Sequence, residues 1–298
     1  MKGYYHMYAN GSDARNFIIE EVEFVLAFNR VGLCCYLSGA VVVSFSIEDS
    51  HPHILLWGTY EQCLRFKQYY EEISRRCIAR RRGSLDGVVL CCRLDEVQDT
   101  SYLMNVAVYT IVQPTKDGKA VMPYDYLYGS GALYFRSSNV LLPWIINDRN
   151  EIEKPVTFGN LTVNEKRRIC GSRSLVPDDW LVCRGFILPT NYVDVKRFES
   201  IYKTHNCYRV YLSSSKDKLK VVQDRMAQSR GLMIEDIEAR KYCESACMEL
   251  FGRKGTRHIT PEQRITLARE LHKRHGLCCR QLSTLTKLPE EEIRNYVL

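Results

Sequence analysis

An aromatic-rich run from Tyr4 to Tyr8 ends at Asn10-Gly11 and predicts a short strand. Apolar positions then recur at helical spacing through Phe17, Val22, Val25 and Phe28, which predicts a helix over 16–29 that ends at Val31-Gly32. Leu33 to Ile47 is the most apolar stretch; Ser38, Gly39, Ser44 and Ser46 interrupt it, and it reads as buried strand. After a turn at Asp49-Ser50, Ile54 to Trp57 continues the strand pattern. Tyr60 to Arg82 predicts a long helix, Val88 to Leu94 another strand, and Thr100 to Val112 a helix stopped by Pro114 and Gly118. Strands and helices mix without the strict alternation of a doubly wound sheet, so residues 1–149 are expected to form one α+β sheet domain.

The character changes near residue 150. Glu151 to Pro155 reads as a linker, and Leu161 to Cys170, with Glu165, Lys166, Arg167 and Arg168, as a short basic helix. Trp180 to Pro189 is extended, and from Tyr192 helices run with breaks towards Phe251, so 150–258 is expected to be a mostly helical accessory region. Thr260 before Pro261 has the form of an N-cap followed by proline at the first helical position, with Ile265, Leu267, Leu271 and His272 marking the helix to His275-Gly276. Cys279 to Thr286 and Pro289 to Val297 complete a helix-turn-helix-like trihelical unit over 259–298. It reads equally as a DNA contact through Arg280 and Arg294 with Lys287, or as a packing or protein-binding element, because Glu290, Glu291 and Glu292 would repel phosphates.

At 298 residues and 45% hydrophobic, the chain can bury a substantial core. No apolar window approaches the roughly 18 residues of a membrane span, and the opening residues lack a signal pattern, so a cytoplasmic protein is expected. The thirteen cysteines are odd in number, and Cys34-Cys35, Cys91-Cys92 and Cys278-Cys279 are adjacent pairs whose side chains diverge on a strand. That argues against a disulfide framework and for reduced, buried thiols. Cys243 and Cys247 share a helical face without further ligands at zinc spacing. The net charge is +7, and Arg75, Arg76, Arg80, Arg81 and Arg82 place five arginines in eight residues. Such a cluster fits a solvated helix end as well as a phosphate-binding face.

Side chains alternate along a strand, so His51 and His53 project to one face, where two imidazoles can hold one divalent cation; strand histidines are also ordinary surface residues. Tyr109 and Gln113 lie one turn apart on the predicted helix, a phenol beside an amide oxygen that can bind a hard cation. An unperturbed tyrosine, with a pKa near ~10, is a weak nucleophile at neutral pH and needs a polarised electrophile. Mg²⁺ or Mn²⁺ at such a site would polarise a phosphodiester for in-line attack, giving a phosphotyrosine and a free hydroxyl. Most of the 19 tyrosines are expected to be packing residues.

The histidine pair within DSHPHILLWG, Asp49 to Gly58, resembles the histidine-hydrophobic-histidine motif of the HUH single-strand nucleases. YTIVQP, Tyr109 to Pro114, followed by MPYDYLYGS, Met122 to Ser130, resembles the tyrosine-helix signature of the REP-associated tyrosine transposases, Tyr-Ile-x-x-Asn-Pro and then Pro-x-Asp-Tyr-x-x-Ser-Ser. GYYHMYANG, Gly3 to Gly11, resembles that family's first strand, and the arginine cluster with Gly83 falls where its members carry a basic helix end. The resemblance covers about residues 3 to 136 in consistent order.

It implies an antiparallel sheet with helices packed on it, ferredoxin-like, followed here by a mainly helical C-terminal region. It implies His51, His53 and Gln113 as metal ligands and Tyr109 as the nucleophile that becomes linked to a DNA 5′ phosphate, with no organic cofactor. The implied partner is single-stranded DNA, a hairpin flanked by a short guide sequence, met in a bacterial, nucleoid-associated setting by a monomer or homodimer. Tyr60, Tyr69, Tyr70, Tyr124, Tyr126 and Tyr128 supply rings on which bases could stack. Three positions depart from the family pattern. Pro52 stands between the histidines and suggests an edge strand, Gln113 replaces Asn, and Gly129 replaces Ser. Two classes of function follow: an active strand-transfer enzyme, or a domesticated hairpin-binding protein without productive cleavage. A metal-binding protein unrelated to DNA is disfavoured by the arginines.

Overall fold

The computed structural model describes residues 1–9, 14–48, 51–116, 118–137, 141–213, 215–228, 236–277 and 279–296. The Asn10-Gly11 and Asp49-Ser50 turns and Cys278 fall outside them. In chain order the first elements are β1 (Lys2–Tyr8), β2 (Ala14–Arg15), α1 (Glu21–Ser38), β3 (Val41–Ile47), β4 (Pro52–Thr59), α2 (Tyr60–Arg82), β5 (Val89–Leu90), β6 (Arg93–Val97) and α3 (Thr100–Lys116). β3, β4, β1 and β6 form a four-stranded sheet in that spatial order, with every pair antiparallel. With α1 and α2 as crossovers this is the βαββαβ arrangement of a ferredoxin-like sheet, so the fold is α+β as expected.

Four local expectations are corrected. The helix predicted to end at Val31-Gly32 runs on to Ser38, and the left-handed residue that stops it is Gly39, at φ 70°. Gly32 serves packing instead: a Cβ there would sit 2.8 Å from the Tyr192 ring. The helix predicted to stop at Pro114 includes it and ends at Lys116, because a proline in the last turn removes only one hydrogen bond. The Lys119 amide then closes the end by donating to the Pro114 carbonyl at 2.8 Å. The predicted strand over 88–94 divides at Cys91-Cys92: β5 pairs with β2, and β6 pairs with β1. Finally, Pro52 opens an interior strand, since β4 lies between β3 and β1; the first strand position tolerates the missing N–H.

The outer edge of β3 is covered. Ile47 and Ser130 amides donate to the Tyr128 and Phe45 carbonyls, each at 2.9 Å, and the Asp194 amide donates to Val42 O at 2.9 Å. Gly129 lets the first of these segments approach, since a Cβ there would lie 3.2 Å from Phe45 O.

Beyond residue 150 come β7 (Val156–Thr157), α4 (Val163–Cys170), β8 (Leu181–Cys183), β9 (Phe186–Ile187), α5 (Val195–Tyr202), α6 (His205–Ser213), α7 (Ser215–Gln228) and α8 (Asp236–Phe251). β7, β8 and β9 form a small sheet within this largely helical stretch. Apolar residues on both sides of residue 150 are buried together: Phe28 lies against Trp144 and Phe186, and Asn29 bonds Ile169 O, Gly185 O and the Ile187 amide. A second apolar cluster spans residues 239–293 and is built from α8 with α9 (Pro261–His275), α10 (Cys279–Thr286) and α11 (Glu290–Tyr296). Thr260 caps α9 with Gln263 in a reciprocal pair, as the Thr-Pro signature predicts. Among the described residues every cysteine is free, and no helix is long and apolar enough to cross a membrane.

Candidate functional site

Strand register assembles the site. Tyr8 pairs with His53, and His6 pairs with Leu55 on one side and Asp95 on the other, so His6, Tyr8, His53 and Asp95 project from one face of the sheet. α3 lies on that face, tied to β3 by the Ser44 and Thr110 hydroxyls at 2.5 Å. The helix brings Tyr109 down beside the histidines. Its ring centroid is 5.1 Å from His53 and 6.1 Å from His6, in edge-on contact with both.

The four residues that the sequence singled out are neighbours. His51 and His53 have ring centroids 4.8 Å apart. Gln113, one turn beyond Tyr109, donates from Nε2 to the Tyr109 hydroxyl at 2.8 Å, which leaves Gln113 Oε1 buried without a hydrogen-bond partner. Two further residues join them. Glu48 follows β3, its amide bonds His51 O at 3.0 Å, and one ligand atom from each of Glu48, His51 and His53 lies within 4.8 Å of the others. His6 stacks on His53 at 5.6 Å and lies 4.8 Å from Tyr8, whose hydroxyl donates to Asp95 at 2.7 Å.

Burial sets the electrostatics. His53 is 0% exposed, Glu48 1%, His6 1% and Tyr109 2%. Burial depresses the His6 pKa to about 3, and burial reinforced by His51 and His6 pushes His53 well below its ordinary value, so both rings are neutral at physiological pH. Neither nitrogen of either ring has a hydrogen-bond partner, which is costly in a protein interior. A neutral imidazole with a free lone pair is the form that ligates a metal. Two imidazoles and a carboxylate fit a divalent cation in donor type and spacing. Sequence reasoning missed Glu48 and His6. An acidic residue ending the strand just before the histidine turn was a usable signal for Glu48; His6 needed the pairing of β1 with β4.

The arginines divide. Arg82 is half-buried, grips Glu23 with two hydrogen bonds of 2.8 and 2.5 Å and bonds the Asn16 and Phe17 carbonyls, so it fastens α2 to the start of α1. Arg81 pairs with Glu20 at 3.0 Å and Arg76 with Glu72 at 2.5 Å, both at the surface. Arg80 is exposed, and Arg75 is partly buried against α9. Arg280 is exposed on α10; Arg294 is on α11, but its side chain lies outside the described residues. Of the six tyrosines named for base stacking, Tyr124 is exposed, whereas Tyr70 and Tyr126 are buried and the others half-buried.

No protein-family model matches the chain, and no curated protein does so significantly. A solved structure of a REP-associated tyrosine transposase bound to a REP hairpin is similar to part of it. The similarity covers 43% of this chain and 75% of that one, at 8% identity and a TM-score of 0.31.

Proposed function

We propose that the protein is a metal-dependent transposase or endonuclease of single-stranded DNA, which cleaves and rejoins strands at hairpin-associated sites through a 5′-phosphotyrosine at Tyr109. One observation carries the reading: a tyrosine hydroxyl held by Gln113 stands beside a buried carboxylate-and-histidine cluster of metal-ligand type. The motif resemblance supplies the substrate class. Mg²⁺ or Mn²⁺ held by Glu48, His51 and His53, with Gln113 Oε1 as a further ligand, would polarise a non-bridging oxygen of the phosphodiester.

The Tyr109 oxygen attacks phosphorus in line with the 3′ oxygen. The Oη–P bond forms as the P–O3′ bond breaks, and the phenol gives up one proton while the leaving oxygen takes up one, so that it ends as a 3′ hydroxyl with no net proton change. Gln113 fixes the phenol's direction before attack, which removes orientational freedom from the step. Reversal by another 3′ hydroxyl rejoins strands without ATP, because the phosphotyrosine retains the bond energy. The proposal assigns catalysis to residues 1–149, accessory packing to 150–258 and DNA contact to 259–298. Arg75, Arg76, Arg80, Arg81, Arg280 and Arg294 would meet the backbone. Such a protein would work in the cytoplasm at the nucleoid, as a monomer or homodimer.

The second reading, a hairpin-binding protein without productive cleavage, is favoured by the 2% exposure of Tyr109. A denaturing gel decides between them. Purified protein and Tyr109→Phe are incubated with end-labelled single-stranded hairpin oligonucleotides from the gene's own neighbourhood and Mg²⁺ or Mn²⁺. A metal-dependent protein-linked band absent from the variant is expected. Equal DNA binding by both with no such band under either metal would overturn cleavage in favour of the second reading.

A further inference from the structure

The segment that follows α3 joins two ends of the candidate site. The Lys119 and Ala120 amides both donate to the Pro114 carbonyl, at 2.8 and 3.3 Å, so the chain turns back directly beyond Gln113. Further on, the Tyr126 hydroxyl donates at 2.5 Å to the carbonyl of Ile47, the residue before Glu48. The segment therefore forms a rim that starts beside one member of the cluster and arrives beside another.

Between these anchors the rim sorts its side chains. Pro123 is buried against Gly131, where Pro123 O leaves no room for a Cβ, and a single 3-10 turn runs over Pro123–Asp125. Val121, Met122 and Tyr124 instead face solvent, at 87%, 40% and 53% exposure. Among the described residues the Tyr124 ring meets no other ring, and its hydroxyl has no hydrogen-bond partner. Apolar side chains scattered singly over a surface need no explanation, whereas a group of them beside a polar site marks a binding surface.

The chemistry of the rim selects its ligand. From Ala120 to Phe135 the sequence has no lysine or arginine, and Asp125 is the one charged side chain, so this surface is not built for phosphate. It offers a ring, two apolar side chains and an exposed carboxylate. A tyrosine ring stacks on the face of any base, and a carboxylate accepts a hydrogen bond from an exocyclic amino group such as that of cytosine.

We propose that Val121, Met122 and Tyr124 seat an unpaired nucleobase next to the phosphate that enters the candidate site, with the Tyr124 ring stacked on it. The anchors carry the placement, since a strand whose phosphate reaches Gln113 and Glu48 runs beside the rim that joins them. The inference rests on the proposed function for its strand and deepens it: the arginine contacts proposed there are to the backbone, whereas this one is to a base.

The test uses the full chain carrying Tyr109→Phe, with a chelator, so that cleavage plays no part. Fluorescence anisotropy follows labelled single-stranded hairpin oligonucleotides from the gene's own neighbourhood, with an abasic residue walked through the unpaired flank. Tyr124→Ala, at an exposed position, spares the core. It is expected to weaken binding of the intact oligonucleotide roughly tenfold, within the range for one stacked base. At one abasic position the same substitution should have no further effect, and Tyr124→Phe, which keeps the ring, should bind as before. Tyr36→Ala is the control: Tyr36 is 52% exposed near the end of α1, where the chain enters β3 at the sheet end away from Glu48. It should leave binding unchanged. No loss with Tyr124→Ala, the same loss on every abasic oligonucleotide, or an equal loss with Tyr36→Ala would sink the base seat alone. A wild type that neither binds these oligonucleotides at low salt nor forms the covalent adduct would sink the strand-transfer reading, and the nucleobase with it.

Discussion

The metal assignment makes its sharpest prediction at Glu48, which sequence reasoning did not find. Glu48→Gln keeps shape and hydrogen-bonding capacity while removing the one formal negative charge from the Glu48, His51 and His53 cluster. Glu48 and His53 are 1% and 0% exposed, so little water is at hand to replace a lost ligand or to screen the charge. Replacing the charged ligand by a neutral amide is expected to weaken divalent binding about a hundredfold. A ligand that binds only the folded state at about 100 times its Kd adds about 2.7 kcal/mol to stability. A hundredfold weaker site at the same concentration leaves about 0.4 kcal/mol. The difference, about 2.3 kcal/mol, corresponds to a loss of several degrees in the metal-induced Tm shift for a core of this size. Urea unfolding of wild type and Glu48→Gln, each with Mn²⁺ and with a chelator, measures it; Tyr109→Phe should retain the full shift. If neither Mn²⁺ nor Mg²⁺ stabilises the wild type, or if Glu48→Gln shifts as far, the ligand set is wrong.

Two further outcomes are expected. Burial alone would raise the pKa of the Glu71 carboxyl, but Lys67, His272 and the Cys92 amide outweigh it and hold it below the ordinary range. A carboxylate depressed in the folded state stabilises above its unfolded pKa of roughly 4.3, and that stability is lost as pH falls through the folded value. Glu71→Gln should therefore flatten the acid limb of a urea-unfolding series between pH 7 and 3, and Glu71→Ala should cost about 3–5 kcal/mol at pH 7 by stranding Lys67. An unchanged acid limb would refute the linkage. Arg82→Ala should cost about 2 kcal/mol because buried Glu23 loses a two-point, charge-assisted partner, whereas Arg80→Ala should leave stability within about 0.5 kcal/mol. Chemical denaturation separates them, and equal effects would show that the cluster does not divide as the contacts indicate.

The residues legible in the sequence are those joined by a local repeat. The strand period of two brought His51 and His53 together, and one helical turn brought Tyr109 to Gln113; both relations survive in the folded chain. Element types were legible wherever caps agreed with periodicity, as at α2, where Thr59 and Gln62 close one end and Gly83, at φ 76°, the other. Glycine and proline misled where tertiary contact decided their role. Gly32 reads as a helix stop but sits where the Tyr192 ring, far along the chain, leaves no room for a Cβ. Nor does composition distinguish Arg82, spent on Glu23, from Arg80 two residues earlier.

What the local repeats could not supply is which strand lies beside which, and that is what gives the site its chemistry. His51 and His53 on an isolated hairpin would be wet, basic and ordinary. β1 set between β4 and β6 places His6 and Tyr8 beside His53, and α3 closes over them. Burial then holds the His6 and His53 imidazoles neutral and leaves their nitrogens without hydrogen-bond partners, which is the state that accepts a cation. The same enclosure covers Tyr109 to within 2% of full burial. The feature that best supports a metal is thus also the one that restricts a DNA strand's access to the proposed nucleophile. The proposed metal binding and covalent-adduct formation would therefore be separable, and each needs its own assay.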